Sequence, residues 1–78
     1  MKFKIGQTVF ICSINLSNTD FEIYEDKITN IDFKNKKYVF NPTGLTDWYV
    51  SEEHVFKTKQ EAIKYGNLNI KHDFIRYF

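Results

Sequence analysis

Three side chains in this sequence of 78 residues are of the types that perform nucleophilic catalysis or bind zinc: Cys12, His54 and His72. A thiol beside an imidazole makes a nucleophile, and thiolate with imidazole is a common zinc ligand set. Cys12, however, stands in an apolar run from Phe10 to Ile14, where a buried, inert thiol is far commoner. No pair has CxxC or HxxxH spacing. We therefore expect no enzyme activity, no cofactor and no metal site.

The acidic residues are a second source of chemistry, because paired carboxylates exchange protons in many active sites. They include two adjacent pairs, Glu25-Asp26 and Glu52-Glu53. Neighbouring acids in a turn are usually just solvated, and no glycine-rich run of the phosphate-binding kind is present. These carboxylates are better candidates for a binding surface than for catalysis.

Aromatic residues next to these acids predict a protein-binding surface. Trp48 and Tyr49 are consecutive in a predicted strand, so if Val50 points inward, Trp48 joins it and Tyr49 is exposed. Aromatic anchors with a charged rim are typical of protein interfaces. The predicted surface consists of Tyr24, Glu25, Asp26, Trp48, Tyr49, Glu52 and Glu53. The alternative interpretation is that these rings only complete a crowded core.

The basic residues that follow the predicted strands give a second functional hypothesis. They are Lys57, Lys59, Lys64, Lys71 and Arg76. Clustered cations follow the phosphate backbone in nucleic-acid-binding proteins, so a nucleic-acid-binding module is the alternative function. Glu61 and Asp73 lie among these cations, which is more typical of a solvated helix face. Nucleic acid is therefore the less favoured partner, and a membrane is less favoured still.

Length and composition limit the number of domains, the class of binding protein and the cellular compartment. The chain has the size of a single domain, 1–78, and its eight Phe, five Tyr and one Trp supply the bulky core that a small domain needs. Its net charge of +1 combines −2 in residues 1–56 with +3 in residues 57–78, which disfavours a non-specific nucleic-acid binder. One cysteine excludes an internal disulfide, and neither a secretory h-region nor an apolar run of about 20 residues is present. We expect a cytoplasmic protein.

The elements that position these residues are predicted to be short strands. Phe21 to Phe33 is too long for a flat strand, and the spacing of Ile28 and Ile31 predicts a bend near Thr29-Asn30. Thr8 to Ile14 is apolar on both faces, so we expect strands to cover one face and a helix the other. Three more short strands are predicted at Lys37 to Asn41, Trp48 to Val50 and Val55 to Phe56, with a 3₁₀ turn capped by Ser51 before the last.

A helix is predicted from Thr58 onward, over residues 58–78, behind a barrel formed by residues 1–57. Thr58 and Glu61 have the spacing of a capping box. The apolar stripe of the helix has a four-residue spacing and consists of Ala62, Gly66, Ile70, Phe74 and Phe78. We expect the helix to be continuous or kinked at Gly66, and its apolar end, from Phe74 to Phe78, predicts a homodimer through the helix.

The order of these elements resembles an SH3-like small β-barrel. The resemblance is carried by Phe3-Lys4-Ile5-Gly6-Gln7-Thr8-Val9, Lys27-Ile28-Thr29-Asn30-Ile31 and Trp48-Tyr49-Val50-Ser51-Glu52-Glu53-His54-Val55-Phe56. With Thr58-Lys59-Gln60-Glu61-Ala62, the chain is similar to small uncharacterised proteins of bacteriophages and low-GC bacteria that place a helix behind such a barrel. The resemblance implies a mainly β (α+β) fold of about five short antiparallel strands with one C-terminal helix packed against it.

For function, the aromatic and acidic residues predict a non-catalytic protein–protein interaction module. The resemblance implies its most concrete version, a small phage-type inhibitor that occludes a host protein, with antiviral defence proteins among the candidate targets. A phage structural or accessory component is a further alternative.

Overall fold

The computed structural model describes residues 1–71, which form β-strands, one 3₁₀ turn and one α-helix. The strands are β1 (Thr8–Ile14), β2 (Phe21–Lys27), β3 (Asn30–Asp32), β4 (Lys37–Phe40), β5 (Trp48–Ser51) and β6 (Val55–Phe56). The 3₁₀ turn, Glu52–His54, joins β5 to β6, and helix α1 (Lys59–Asn69) follows. Within residues 1–71, no helix has the length and apolar character needed to cross a membrane.

The strands form two antiparallel sheets of three strands each. One sheet has the order β2-β1-β6 and the other has the order β3-β4-β5. The predicted α+β class, mostly strands with a helix after them, is confirmed. The described residues contain six strands, which divide between two sheets that do not close on each other. The turn Glu52–His54 carries the chain from one sheet to the other, so β5 and β6 pair in different sheets.

The predicted bend in the long strand is confirmed, and it is the point where the chain changes sheets. The amide of Ile28 donates to the Gln7 carbonyl at 3.0 Å, which continues the pairing of β2 with β1. The next amide, of Thr29, donates instead to the Val39 carbonyl of β4 at 2.8 Å. The Thr29 hydroxyl donates to the same carbonyl at 3.0 Å. One peptide step therefore separates the hydrogen bonding of the two sheets.

The main core lies between the two sheets. It is built from inward-facing side chains of both sheets and of the leading segment: Phe3, Val9, Ile11, Ile28, Tyr38, Phe40, Val50 and Val55. Phe3 packs on Tyr38 with ring centroids 5.7 Å apart, and its amide donates to the Tyr38 hydroxyl at 3.0 Å. This bond satisfies a buried polar group that would otherwise destabilise the core.

Strand β1 is covered on both faces, as its apolar pattern predicts. Val9 and Ile11 point into the main core, and Cys12, on the opposite face, is only 1% exposed because α1 packs there. Ala62 is the fully buried residue of the helix at this interface. Gly66 allows a close approach of the helix to β2, since a β-carbon added there would lie 2.5 Å from ring carbons of Phe21.

The start of the helix agrees with the prediction, whereas its end does not. The Thr58 hydroxyl accepts from the Glu61 amide at 3.2 Å, so Thr58 is the N-cap. The helix passes through Gly66 but ends at Asn69, because Ile70 has an extended backbone with φ −93° and ψ 159°. The Lys71 amide then donates to the Asn18 carbonyl in the β1–β2 loop. The prediction of a helix through residues 70 and 71 is wrong, and its remaining part, with the proposed dimer contact, lies outside the described residues.

Candidate functional site

The centre of the candidate site is an aromatic contact between the two sheets. Tyr24 of β2 meets Trp48 of β5 edge-on, with ring centroids 5.7 Å apart and an interplanar angle of 88°. Trp48 also packs on Phe40 in the main core, at 6.1 Å. Trp48 thus faces inward with Val50, as predicted, while Tyr24 covers it and remains 42% exposed. We call this contact the Tyr24–Trp48 pair.

An acidic side chain holds the outer ring of this pair. The Tyr24 hydroxyl donates to Oε2 of Glu22, and this hydrogen bond, together with the carboxylate charge, raises the pKa of Tyr24 above its usual range. Both side chains are exposed. The site therefore presents a phenol ring fixed by a surface carboxylate, which is suited to binding another protein.

The strand register corrects the predicted membership of the acidic surface. Tyr24 is in register with Ile11 of β1, and Glu25 is in register with Phe10. Residues that are in register share a face, so Glu25 points to the side of the sheet on which the helix packs, away from Tyr24. Asp26 shares the face of Tyr24, and so does Glu22, which the sequence prediction omitted. The prediction that Glu25 joins Tyr24 in one surface is therefore wrong.

Tyr49 occupies a different face from its neighbour Trp48, as the alternation of a strand requires. It is in register with Val39 on the outer face of the sheet β3-β4-β5 and is 52% exposed. The two predicted aromatic anchors Tyr24 and Tyr49 thus lie on opposite sides of β5. They belong to one site only along the edge of β5 that no described strand pairs with, which we call its rim and where the inner and outer faces of the sheet meet.

The predicted acids Glu52 and Glu53 lie on the 3₁₀ turn and are exposed. The turn is held against the helix by His54, whose ring contacts Tyr65 edge-on at 5.3 Å. Tyr65 also packs on Phe56, at 5.2 Å. The predicted cap is incorrect in one detail: Ser51 occupies the N-cap position of the turn but its side chain makes no capping hydrogen bond. Packing on the helix therefore positions these acids.

A groove of about 260 Å³ lies between β1 and β5. Its walls are Ile11, Cys12, Ser13 and Ile14 on one side and Trp48, Tyr49, Val50 and Ser51 on the other, with His54 at its margin. We call it the β1–β5 groove. Sequence reasoning missed it because it exists only where the two sheets diverge, and no local pattern marks that place.

Cys12 and His54 both line this groove, although no motif in the sequence links them. Burial raises the pKa of the Cys12 thiol, which keeps it protonated and weakly nucleophilic at neutral pH. Nε2 of His54 lies 3.5 Å from Oε1 of Glu53, and its Nδ1 is buried without a hydrogen-bond partner in the described part of the chain. His72 lies outside the described residues. Across residues 1–71, no three His, Cys, Asp or Glu side chains are grouped as metal ligands.

The basic residues do not converge on one described surface. Lys57 precedes the helix, and Lys59 and Lys64 are five residues apart on it, which is a rotation of about 140°. Lys71 is exposed beyond the helix end, and Arg76 lies outside the described residues. The two helical cations therefore point in different directions, and a continuous phosphate track would need residues from elsewhere.

No protein-family model matches the chain, and no curated protein or solved structure matches it either. Assignment of a role to the Tyr24–Trp48 pair and to the β1–β5 groove therefore depends on their geometry alone.

Proposed function

We propose that this protein acts by stoichiometric binding to another protein, through the rim of β5 that joins the Tyr24–Trp48 pair, the β1–β5 groove and Tyr49. The observation that carries this proposal is the exposed phenol of Tyr24, fixed on one side by Trp48 and on the other by Glu22. An ordered aromatic side chain loses little conformational entropy on binding, which favours its use as an interface anchor.

Exposed leucines near the same strands support the proposal. Leu16 follows β1 with its side chain fully exposed, and Leu45 precedes β5 with 89% exposure. Large apolar side chains held in water close in sequence to these strands favour association with a partner. Exposed acids at the two ends of β5, Asp47 and Glu52, favour a basic partner surface.

We further propose that the fold is an SH3-like barrel left open along one side. The strand order supports this: β6-β1-β2 continues through Ile28 and Thr29 into β3-β4-β5. The opening falls at the β1–β5 groove. The more specific function, an inhibitor that occludes a host protein, is supported only by the resemblance to small phage proteins.

The test is affinity capture from a host lysate with quantitative mass spectrometry, comparing the wild type with the double variant Tyr24→Ala/Tyr49→Ala. We expect one protein to be enriched by the wild type and its recovery to fall about tenfold or more with the double variant. Phe33→Ala is the matched control, because Phe33 is 69% exposed in the β3–β4 turn and is not among the residues that line the β1–β5 groove.

Equal recovery with the double variant and with the wild type would refute the proposed surface. The nucleic-acid alternative is tested separately, with the triple charge reversal of Lys57, Lys59 and Lys64 to Glu. If RNA or DNA binds with an affinity that falls steeply with salt, and this variant abolishes it, then nucleic acid is the partner.

A further inference from the structure

The β1–β5 groove is bounded by two unpaired strand edges. β5 pairs with β4 on one side, and no described strand pairs with its other side. β1 pairs with β6 only through Phe10 and Ile11, so Cys12 to Ile14 pair with β2 alone. Unpaired edges carry backbone donors and acceptors that can pair with a further strand.

The hydrogen-bond pattern shows which backbone groups of β5 face the groove. The Glu52 amide donates to the Lys36 carbonyl at 3.1 Å. Because bonding alternates along an antiparallel pair, Val50 then bonds to β4, while the amide and carbonyl of Tyr49 and the amide of Ser51 are directed to the open side. The Ser51 carbonyl belongs to the N-cap of the 3₁₀ turn and accepts the first hydrogen bond of that turn. β5 thus presents two residues with unpaired backbone groups to an incoming strand.

The same alternation applies to the opposite wall. The Asn15 amide donates to the Asp20 carbonyl at 3.1 Å, so the odd-numbered residues of β1 bond to β2. Ile14 therefore directs its backbone groups away from β2, toward the groove. Both walls of the β1–β5 groove offer main-chain polar groups together with the apolar side chains of Ile14 and Trp48.

The border of the groove is acidic. Asp47 and Glu52 stand at the two ends of β5, Glu53 adjoins His54, and Glu22 is in register with Ser13. Two cations lie opposite this end of β5: Lys37 is in register with Ser51, and the carbonyl of Lys36 accepts from the Glu52 amide. The four acids outnumber these two cations. The border thus keeps a net negative charge.

We propose that the β1–β5 groove binds a basic, extended segment of a partner protein, which adds to the edge of β5 as a further strand. This inference rests on the proposed protein-binding function and adds the chemistry and the binding mode of the partner. Side chains on one face of the segment lie on Trp48, those on the other face lie toward Ile14, and its cations lie near Asp47, Glu52 and Glu22. Main-chain hydrogen bonds to Tyr49 and Ser51 hold its backbone.

The probe is a blocked hexapeptide of alternating lysine and valine, titrated into the full chain labelled with nitrogen-15 and followed by amide chemical shifts. We expect saturable shifts at Cys12 to Ile14 and at Trp48 to Ser51, with a Kd of about 1 mM or tighter. The matched glutamate–valine peptide should bind about tenfold more weakly because of the acidic border. No shift at these amides, or equal binding of both peptides, would overturn the proposal.

Two variants of one residue separate strand addition from contact through side chains. Ser51 has φ −58°, a value that proline adopts, and its amide faces the groove. Ser51→Pro therefore removes one donor from the edge without backbone strain, whereas Ser51→Ala keeps that donor. We expect Ser51→Pro to weaken peptide binding about fivefold or more and Ser51→Ala to leave it within about twofold. Equal affinity of the two variants would overturn strand addition.

Other occupants of the groove give different results. If a second copy of the chain occupies the groove, the same amide shifts change with protein concentration in the absence of peptide. If residues 72–78 occupy it, their removal changes these shifts. Either result overturns the proposal. Capture of the partner from the lysate separates protein binding through the rim of β5 from strand addition in the groove. If Tyr24→Ala/Tyr49→Ala loses the partner but Ser51→Pro keeps it, the proposed function stands and strand addition is rejected. Loss with neither would reject both.

Discussion

The outer faces of the two sheets differ in what covers them. On the sheet β2-β1-β6, helix α1 leaves Cys12 only 1% exposed, and Ala62 is fully buried against the same face. On the outer face of the sheet β3-β4-β5, Val39 of the central strand is buried, but the ring of Tyr49 beside it is 52% exposed. The first outer face is therefore covered by the helix, whereas the second keeps a large aromatic ring in contact with solvent. The largest effects on unfolding should come from the first and the smallest from the second.

The largest expected effect on stability is at Ala62, where a substitution tests whether the helix covers the sheet β2-β1-β6. Lysine at this fully buried position places an ammonium group between the helix and β1, so we expect Ala62→Lys to lower the free energy of unfolding by about 3 kcal/mol. Ile63→Lys, at a half-exposed neighbouring position, should change it by about 0.5 kcal/mol or less. Urea unfolding followed by circular dichroism measures both. Similar values for the two variants would mean that the helix does not pack on the sheet in solution.

A smaller loss is expected at the closest approach of the helix to β2. In Gly66→Ala, the added methyl group collides with the Phe21 ring, and this cost exceeds the gain of about 1 kcal/mol in helix propensity. We expect a net destabilisation of about 1 kcal/mol. In a Phe21→Ala background, the same change should become neutral or stabilising, which a double-mutant cycle by urea unfolding would reveal. Additive effects would contradict the contact.

The open face should tolerate change. Tyr49→Ala removes an exposed ring in register with Val39, so we expect the free energy of unfolding to fall by only about 0.5 kcal/mol. Trp48→Ala, its neighbour on the inner face, should cost about 3 kcal/mol because it leaves a cavity beside Phe40. Thermal unfolding of both variants measures the contrast. A large loss for Tyr49→Ala would show that this ring is structural.

The smallest effect on stability is expected from the ionisation of Tyr24, which contacts Trp48 of the other sheet. Because its folded-state pKa is raised, the neutral phenol is favoured by folding. The contribution to stability is thus complete below pH about 10 and is lost as the pH rises through the raised folded-state value. Glu22→Gln removes the carboxylate charge and should bring the Tyr24 pKa back toward its usual value. An NMR titration of the ring carbons measures this, and an unchanged pKa would contradict the contact.

Local signals in the sequence predicted the parts of this fold that depend on neighbouring residues. The capping side chain of Thr58, the inward side of Trp48 and the bend near Thr29 all follow from spacing over four residues or fewer. The end of the helix does not, because the Lys71 amide bonds to Asn18, about fifty residues earlier.

The candidate site was only partly predictable for the same reason. Tyr24 and Trp48 were expected as surface and core residues, but their mutual contact depends on how the two sheets cross. The position of Glu25 on the face opposite Tyr24 is predictable from the sequence, since consecutive residues of a strand face opposite sides. The β1–β5 groove had no sequence signal, because it is a space between elements and not a pattern within one.

The pairing of β1 with β6 has a consequence for how the chain folds. β1 and β2 form a hairpin through the loop after Ile14, whereas Phe10 must find Phe56, 46 positions later. The hairpin therefore closes a small loop and forms early, and the docking of β6 closes a large loop and comes late. During synthesis, the central strand of this sheet stays exposed along its whole second edge until nearly three quarters of the chain has been made. That interval is when the protein is most prone to aggregate.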